Sequence, residues 1–270
     1  MKKRMLHLFF LIVLIVPPLY SQNKVIKIWP GLAPGTESRE NREKNINGGV
    51  TDVYQPDLTI FLPEKINKNR PALIILPGGG YRQIVIKKEG YDIADWFIKK
   101  GITAFVLKYR LKPEEALQDA QRAISLLRLK ASEYNINPDN LGVIGFSAGG
   151  HLAANLSTHF EKERIVDYID SVSCRPDFMI SIYGAVGPFI NDISKNTPPA
   201  FLVHAGDDPK VPVNQSGYYY LALHDKGIPA ELHVYEKGGH GFALRDVDKP
   251  VFSWAKRCLD WMKVQEILTQ

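Results

Sequence analysis

Only two cysteines, Cys174 and Cys258, occur in 270 residues. That excludes a disulfide framework and a thiolate metal cluster. A single bond between the two stays open. The carboxylates form no clustered ligand set, and the Cys and His spacings match no zinc pattern, so no metal or other cofactor is expected. Excess charge is also scarce. The formal net charge is +5, and Lys2, Lys3 and Arg4 supply three of those positives. The body of the chain is nearly neutral and has no basic stripe, which removes the main electrostatic warrant for nucleic-acid binding. Long apolar runs are missing too. The one at residues 6–16 is too short to span a bilayer. There is no internal repeat, low-complexity tract or linker dividing the chain.

The short apolar run follows three positive residues. It is broken by Pro17 and Pro18, and Tyr20-Ser21-Gln22 offers a small residue for cleavage. Residues 1–21 are therefore expected to be a signal peptide, with the mature protein exported to the periplasm or outside the cell and not stably inserted in a membrane. Residues 22–50 are rich in Gly, Pro, Asn and charge and read as an extended leader with loops. Residues 51–270 read as one domain.

Within that domain, strands and helices alternate. Residues 53–62, 72–76, 102–107, 141–144, 178–182, 200–204 and 230–235 have strand character. Residues 86–100, 113–134, 149–159, 216–226 and 252–267 have helical spacing. Asn137-Pro138-Asp139-Asn140 reads as a turn. The continuous apolar run at 72–76 suits a strand buried on both faces. The fold class is α/β, with a mostly parallel sheet of about eight strands and helices on both faces.

The sharpest local signal is Gly145-Phe146-Ser147-Ala148-Gly149, a G-x-S-x-G pattern between an expected strand and an expected helix. A serine on such a turn stands clear of the sheet, and the flanking glycines let strand and helix approach without a clashing Cβ. Ser147 is the candidate nucleophile. A hydroxyl needs a base, and His240, within Gly238-Gly239-His240-Gly241-Phe242, lies in a glycine-rich loop after the last strand. The other histidines fall in the signal region, helices or strands. His151 follows the serine turn and is assigned a supporting or structural role. A carboxylate must orient the imidazole. Asp207 and Asp208, after the strand at 200–204, both qualify. The chain order Ser, Asp, His is that of hydrolases built on a nucleophile elbow. Donors for an oxyanion are expected from Pro77-Gly78-Gly79-Gly80-Tyr81 and from the helix start: the backbone N–H groups of Gly79 and Ala148, with Gly80 as a further donor.

Together these stretches, with Lys108-Tyr109-Arg110-Leu111 and His204 through Pro212, resemble the α/β-hydrolase superfamily. More narrowly they resemble the secreted bacterial acetyl xylan and feruloyl esterases of the prolyl oligopeptidase-like branch. Ile28-Trp29-Pro30-Gly31 is similar to the leader of such enzymes. In that family the acid stands three residues before a valine and four before a proline. With Val211 and Pro212 in place, the resemblance implies Asp208 as the acid and leaves Asp207 as the fallback. Pro77-Gly78 stands where many relatives have His-Gly, so the loop does not assign an esterase subfamily. The implied activity is a serine carboxylesterase cleaving short acyl esters, acetyl foremost, on plant polysaccharide such as xylan. Its partner would be an acylated carbohydrate or other small ester. Tyr81, Tyr183 and Phe242 neighbour the catalytic loops and are candidates for stacking on substrate. The competing readings are a prolyl oligopeptidase-like serine peptidase and a non-catalytic carbohydrate-binding protein on the same fold. Base catalysis by an imidazole implies activity that falls below about pH 6–7.

Overall fold

The computed structural model describes residues 24–65, 68–162, 167–244 and 249–268. The expected signal peptide and its cleavage position lie outside them. Eight strands form the main sheet: β1 (Val25–Lys27), β4 (Asp57–Phe61), β5 (Arg70–Leu76), β6 (Thr103–Lys108), β7 (Ile136–Phe146), β8 (Met179–Ile182), β9 (Ala200–Ala205) and β10 (Ala230–Tyr235). Their order is β1-β4-β6-β5-β7-β8-β9-β10. β1 and β4, and β4 and β6, pair antiparallel; every later neighbour pairs parallel. A hairpin, β2 (Lys44–Ile46) and β3 (Gly49–Thr51), turns through Asn47 and Gly48 at φ 50° and 78°. Asn-Gly is the sequence that tolerates such a turn. A bridge from Val50 to Ile84 ties this hairpin to the loop after β5.

The apolar runs of β5 and β6 are buried on both faces; Ala72, Leu73, Ile74, Ile75 and Leu76 are all fully inaccessible. Among the described residues, five α-helices cover the sheet: α1 (Asp92–Ile98), α2 (Pro113–Leu129), α3 (Ala148–His159), α4 (Asn214–Asp225) and α5 (Trp254–Val264). Phe201 packs on Trp261 of α5, while His204, three residues on, hydrogen-bonds Ser216 of α4. Strand side chains alternate, so α4 and α5 lie on opposite faces.

Three expectations shift. The segment 137–140 is not a free turn: it belongs to β7, whose register against β5 slips between Arg70 and Ala72 to accommodate it. The helix expected over 86–100 opens as a π-helical turn, Lys87–Tyr91, before α1 begins. Gly90 sits there because a Cβ would lie 2.8 Å from Val106 Cγ1. The helix starting at Pro113 stops at Leu129, five residues early.

Within the stretch expected to be an extended leader, residues 24–50 contribute to the body of the fold. β1 extends the sheet, and Ile28 and Trp29 are buried. Trp29 Nε1 donates to Asp119 Oδ1 at 2.8 Å, and the Arg122 guanidinium lies 4.8 Å from the Trp29 ring centre. Asp119 also receives Nε of Arg110 at 2.9 Å and its terminal nitrogen at 2.8 Å, both side chains being wholly buried. This forked pair fixes the chain just after β6. It thereby places Tyr109, whose hydroxyl donates to Pro77 O at 2.5 Å beneath the glycine loop.

Candidate active site

The parallel strands end on one rim, where open α/β sheets gather their sites. β7 delivers Ser147 there. Its backbone is at φ 53°, ψ −115°, a conformation forced by the strand-to-helix turn. A Cβ on Gly145 would lie 2.1 Å from Gly149 O, and one on Gly149 would lie 1.9 Å from Leu76 O. Nothing larger than glycine fits either side. Tyr81, in the loop after β5, and Tyr183, directly after β8, also adopt positive φ, 55° and 41°. Such backbone strain concentrates where function needs a fixed side chain.

Ser147 Oγ stands 2.8 Å from His240 Nε2, and His240 Nδ1 stands 2.7 Å from Asp208 Oδ2. The Asp208 side chain is inaccessible to solvent. Burial opposes its ionisation, but hydrogen bonds from His240 and from the N–H groups of Val211 (3.0 Å) and Lys210 (2.8 Å) outweigh that and hold the carboxyl below its ordinary value. An ionised carboxylate only accepts. The Nδ1 proton therefore points at Asp208, and the Nε2 lone pair faces the serine hydroxyl. The arrangement can take a proton from the hydroxyl and stabilise the imidazolium so formed.

The two aspartates have different positions. Asp207 does not reach the imidazole; its Oδ1 accepts the N–H groups of Gly238 at 2.9 Å and Gly239 at 2.8 Å. It braces the loop that carries His240. Beneath Asp208 lies His204, buried, donating from Nε2 to Val211 O at 2.9 Å and accepting at Nδ1 from Ser216 at 2.7 Å. Burial lowers its pKa, which keeps it neutral under the acid.

Ser147 and His240 open on a cavity of about 710 Å³, lined also by Gly79, Arg82, Lys88 and Lys210. Gly80 borders it as well. Gly79 has φ 133°, and a Cβ there would meet Gln83 O at 2.0 Å. Ala148 is the first residue of α3, where helix N–H groups have no partner within the helix. Of the aromatic candidates, Tyr183 is fully buried with its ring 5.0 Å from that of His240, and Phe242 packs on Tyr183 at 4.6 Å. Neither lines the cavity; they back the imidazole. Tyr81 borders a neighbouring recess, and its hydroxyl meets His151 Nδ1 at 2.9 Å. Burial lowers the His151 pKa.

One residue that sequence reasoning passed over sits among these groups. Glu89, on the π-helical turn, lines the cavity yet is only 5% exposed. Its carboxylate accepts Gly78 N–H at 2.8 Å and the Tyr183 hydroxyl at 3.0 Å. Burial pushes its pKa up, and these hydrogen bonds offset that only in part. In Lys87-Lys88-Glu89-Gly90 it looks like part of a solvated charge run. The glycine inside a helical pattern was the available signal of close packing. Both cysteines are free thiols and buried. Among the described residues, no group of three or more His, Cys, Asp or Glu is placed to hold a metal ion.

The same architecture is seen in the acetyl ester-xyloside bifunctional hydrolase of Caldicellulosiruptor lactoaceticus. That structure is 31% identical, with a TM-score of 0.80, covering 94% of this chain and all of that one. The chain belongs to the α/β-hydrolase superfamily, on its esterase branch. The family described as BD-FAE matches residues 58–186 of this chain, and the prolyl oligopeptidase family matches residues 185–265. An alpha/beta hydrolase enzyme from a Medee basin deep-sea metagenome library is 30% identical at a TM-score of 0.66, covering 78% of this chain and 93% of that one. The acetylxylan esterase of Xylanibacter ruminicola is 31% identical over 235 residues, covering 74% of this chain. The chain spans only 46% of that relative's length.

Proposed function

We propose that this hydrolase is a serine carboxylesterase that removes short acyl groups, acetyl foremost, from plant polysaccharide such as xylan. The observation that carries the reading is the unbroken chain of hydrogen bonds from Ser147 through His240 to Asp208, opening on one cavity. Ser147 attacks the ester carbonyl as His240 Nε2 takes its proton. Backbone N–H groups of Gly79 and Ala148, with Gly80 beside them, stabilise the oxyanion, an effect worth roughly 3–4 kcal/mol per donor. The imidazolium returns the proton to the departing alcohol. Water, deprotonated by the same imidazole, then cleaves the acyl-serine, releasing the acid and restoring the hydroxyl.

Acetylated carbohydrate is favoured by the names of two relatives, an acetyl ester-xyloside hydrolase and an acetylxylan esterase. We take residues 51–270, completed by β1 and the buried Ile28 and Trp29 before them, as the catalytic domain and residues 1–21 as an export signal. No helix among the described residues is long and apolar enough to cross a membrane. Replacing Ser147 with Ala should abolish ester hydrolysis and fluorophosphonate labelling while leaving the fold intact. A panel of acetylated xylan, feruloylated xylan, short 4-nitrophenyl esters and proline-containing peptides tests the substrate. Hydrolysis confined to peptides or long acyl chains would overturn the carbohydrate reading. Turnover retained by the Ser147→Ala variant would overturn the mechanism.

A further inference from the structure

The cavity over Ser147 is one-sided in charge. Arg82, Lys88 and Lys210 line it, and Glu89 is its acidic member. Glu89 already has both oxygens engaged, by Gly78 N–H and by the Tyr183 hydroxyl, and is buried below the mouth. Lys88 donates to Gly241 O, which fixes its ammonium at the His240 loop. The Arg82 guanidinium and the Lys210 ammonium make no ion pair or side-chain hydrogen bond among the described residues, and both residues are exposed.

Arg82 also borders a second recess of about 540 Å³, lined by Tyr54, Tyr81, Leu111 and Lys112 among others. The two spaces therefore meet at its side chain. The second recess carries three carboxylates as well: Glu115, bound by Arg39 and 3.6 Å from Lys112; Glu40, paired with Arg42 at 2.8 Å; and Asp52. Of its cations, Arg82 is the one that also lines the cavity over Ser147. Tyr54 and Tyr81, both half-buried, offer ring faces suited to a sugar. A guanidinium in a recess with such aromatic rings, at the border of the cavity that holds the nucleophile, matches a carboxylate carried on a glycan.

We infer that the second recess is a subsite for the leaving alcohol and that it selects glycans bearing a uronate, whose carboxylate pairs with Arg82. This rests on the ester-hydrolysis reading: with a small neutral acyl group on Ser147, the anion must lie on the alcohol side. The pair is exposed, so its effect is modest and salt-dependent. The test compares kcat/KM for acetylated xylo-oligosaccharides with and without a glucuronic acid branch, at about 20 mM and about 500 mM NaCl. The expected preference for the charged substrate is about two- to fivefold at low salt, vanishing at high salt. It should also vanish in Arg82→Gln, measured as the ratio between the two substrates. Equal kcat/KM at low salt, a preference that persists in Arg82→Gln, or one insensitive to salt would each overturn the inference. Hydrolysis of 4-nitrophenyl acetate by the unaltered protein, lost in Ser147→Ala, separates that failure from failure of the esterase reading. Absence of any Ser147-dependent ester hydrolysis would remove both.

Discussion

Changing Asp208 to Asn should leave the site in place and stop it working. Asp208 Oδ1 accepts two backbone N–H groups, from Lys210 and Val211, at 2.8 and 3.0 Å. In the variant only the amide oxygen can face those donors, so the amide NH2 must face His240 Nδ1. Nδ1 then has to accept, and the ring proton moves to Nε2. Ser147 Oγ, 2.8 Å away, would meet an N–H where it needs a lone pair. Loss of the correct tautomer costs about 10⁴-fold in kcat, or about 5.5 kcal/mol of barrier. The assay is steady-state hydrolysis of 4-nitrophenyl acetate, with fluorophosphonate labelling slowed in parallel. Asp207→Asn is the control. Its single acceptor oxygen can still bind Gly238 and Gly239, so the loss should stay within about tenfold, roughly one ordinary hydrogen bond. Equal losses in the two variants, or less than a tenfold loss in Asp208→Asn, would refute the assignment. The pH dependence has a definite sign. The folded Asp208 carboxyl is held below its ordinary value, so its stabilising effect is complete above the unfolded value of about 3.9 and is lost as pH falls through the folded one. The stability gap between wild type and Asp208→Asn should therefore shrink in acid, as followed by urea unfolding.

Gly149→Ala would place a methyl group 1.9 Å from Leu76 O, a backbone atom that cannot give way. A loss of about 3 kcal/mol or failure to fold is expected, and an unchanged melting temperature would contradict the close approach. Asp119→Leu strands the Arg110 guanidinium and the Trp29 indole N–H in the core. Urea titration should show a loss of about 3–5 kcal/mol. Glu89→Ala releases Gly78 N–H and the Tyr183 hydroxyl together. This should lower kcat about tenfold or more with little change in KM, since a loosened loop misplaces its donors. Glu89→Gln, which keeps an acceptor for Gly78, should recover most of it; a variant with altered KM alone would contradict a positioning role.

The central sheet was legible because its inner strands are covered on both faces, and that demand writes an uninterrupted apolar run such as Ala72-Leu73-Ile74-Ile75-Leu76 into the chain. The serine turn was legible for a different reason. Gly145 and Gly149 are needed sterically, so the spacing itself is informative. What escaped were features decided by distant partners. β1 has three residues, too few to show a pattern, and it exists because β4 offers it an edge. Trp29 finds Asp119 ninety positions away. Only the family resemblance at Val211 and Pro212 favours Asp208 over Asp207; the residue types alone do not tell which side chain the backbone after β9 turns toward the imidazole. Glu89 was hidden because a buried carboxylate and a solvated one look alike beside two lysines. Tyr183 and Phe242 lie near the site as expected, but the direction of a buried ring is set by packing, and theirs faces the back of the imidazole.

The glycine loop beside Ser147 is tethered at nearly every peptide. Pro77 O is held by the Tyr109 hydroxyl, Gly78 N–H by Glu89, Gly78 O by Val85 N–H, and Gly79 O by the N–H groups of Arg82 and Gln83. Two of those anchors are buried side chains reached from β6 and from the turn before α1. A flap so sewn down has no separate melting of its own. Warming should therefore extinguish turnover and tertiary structure on one curve, with no temperature at which a folded but catalytically silent form accumulates.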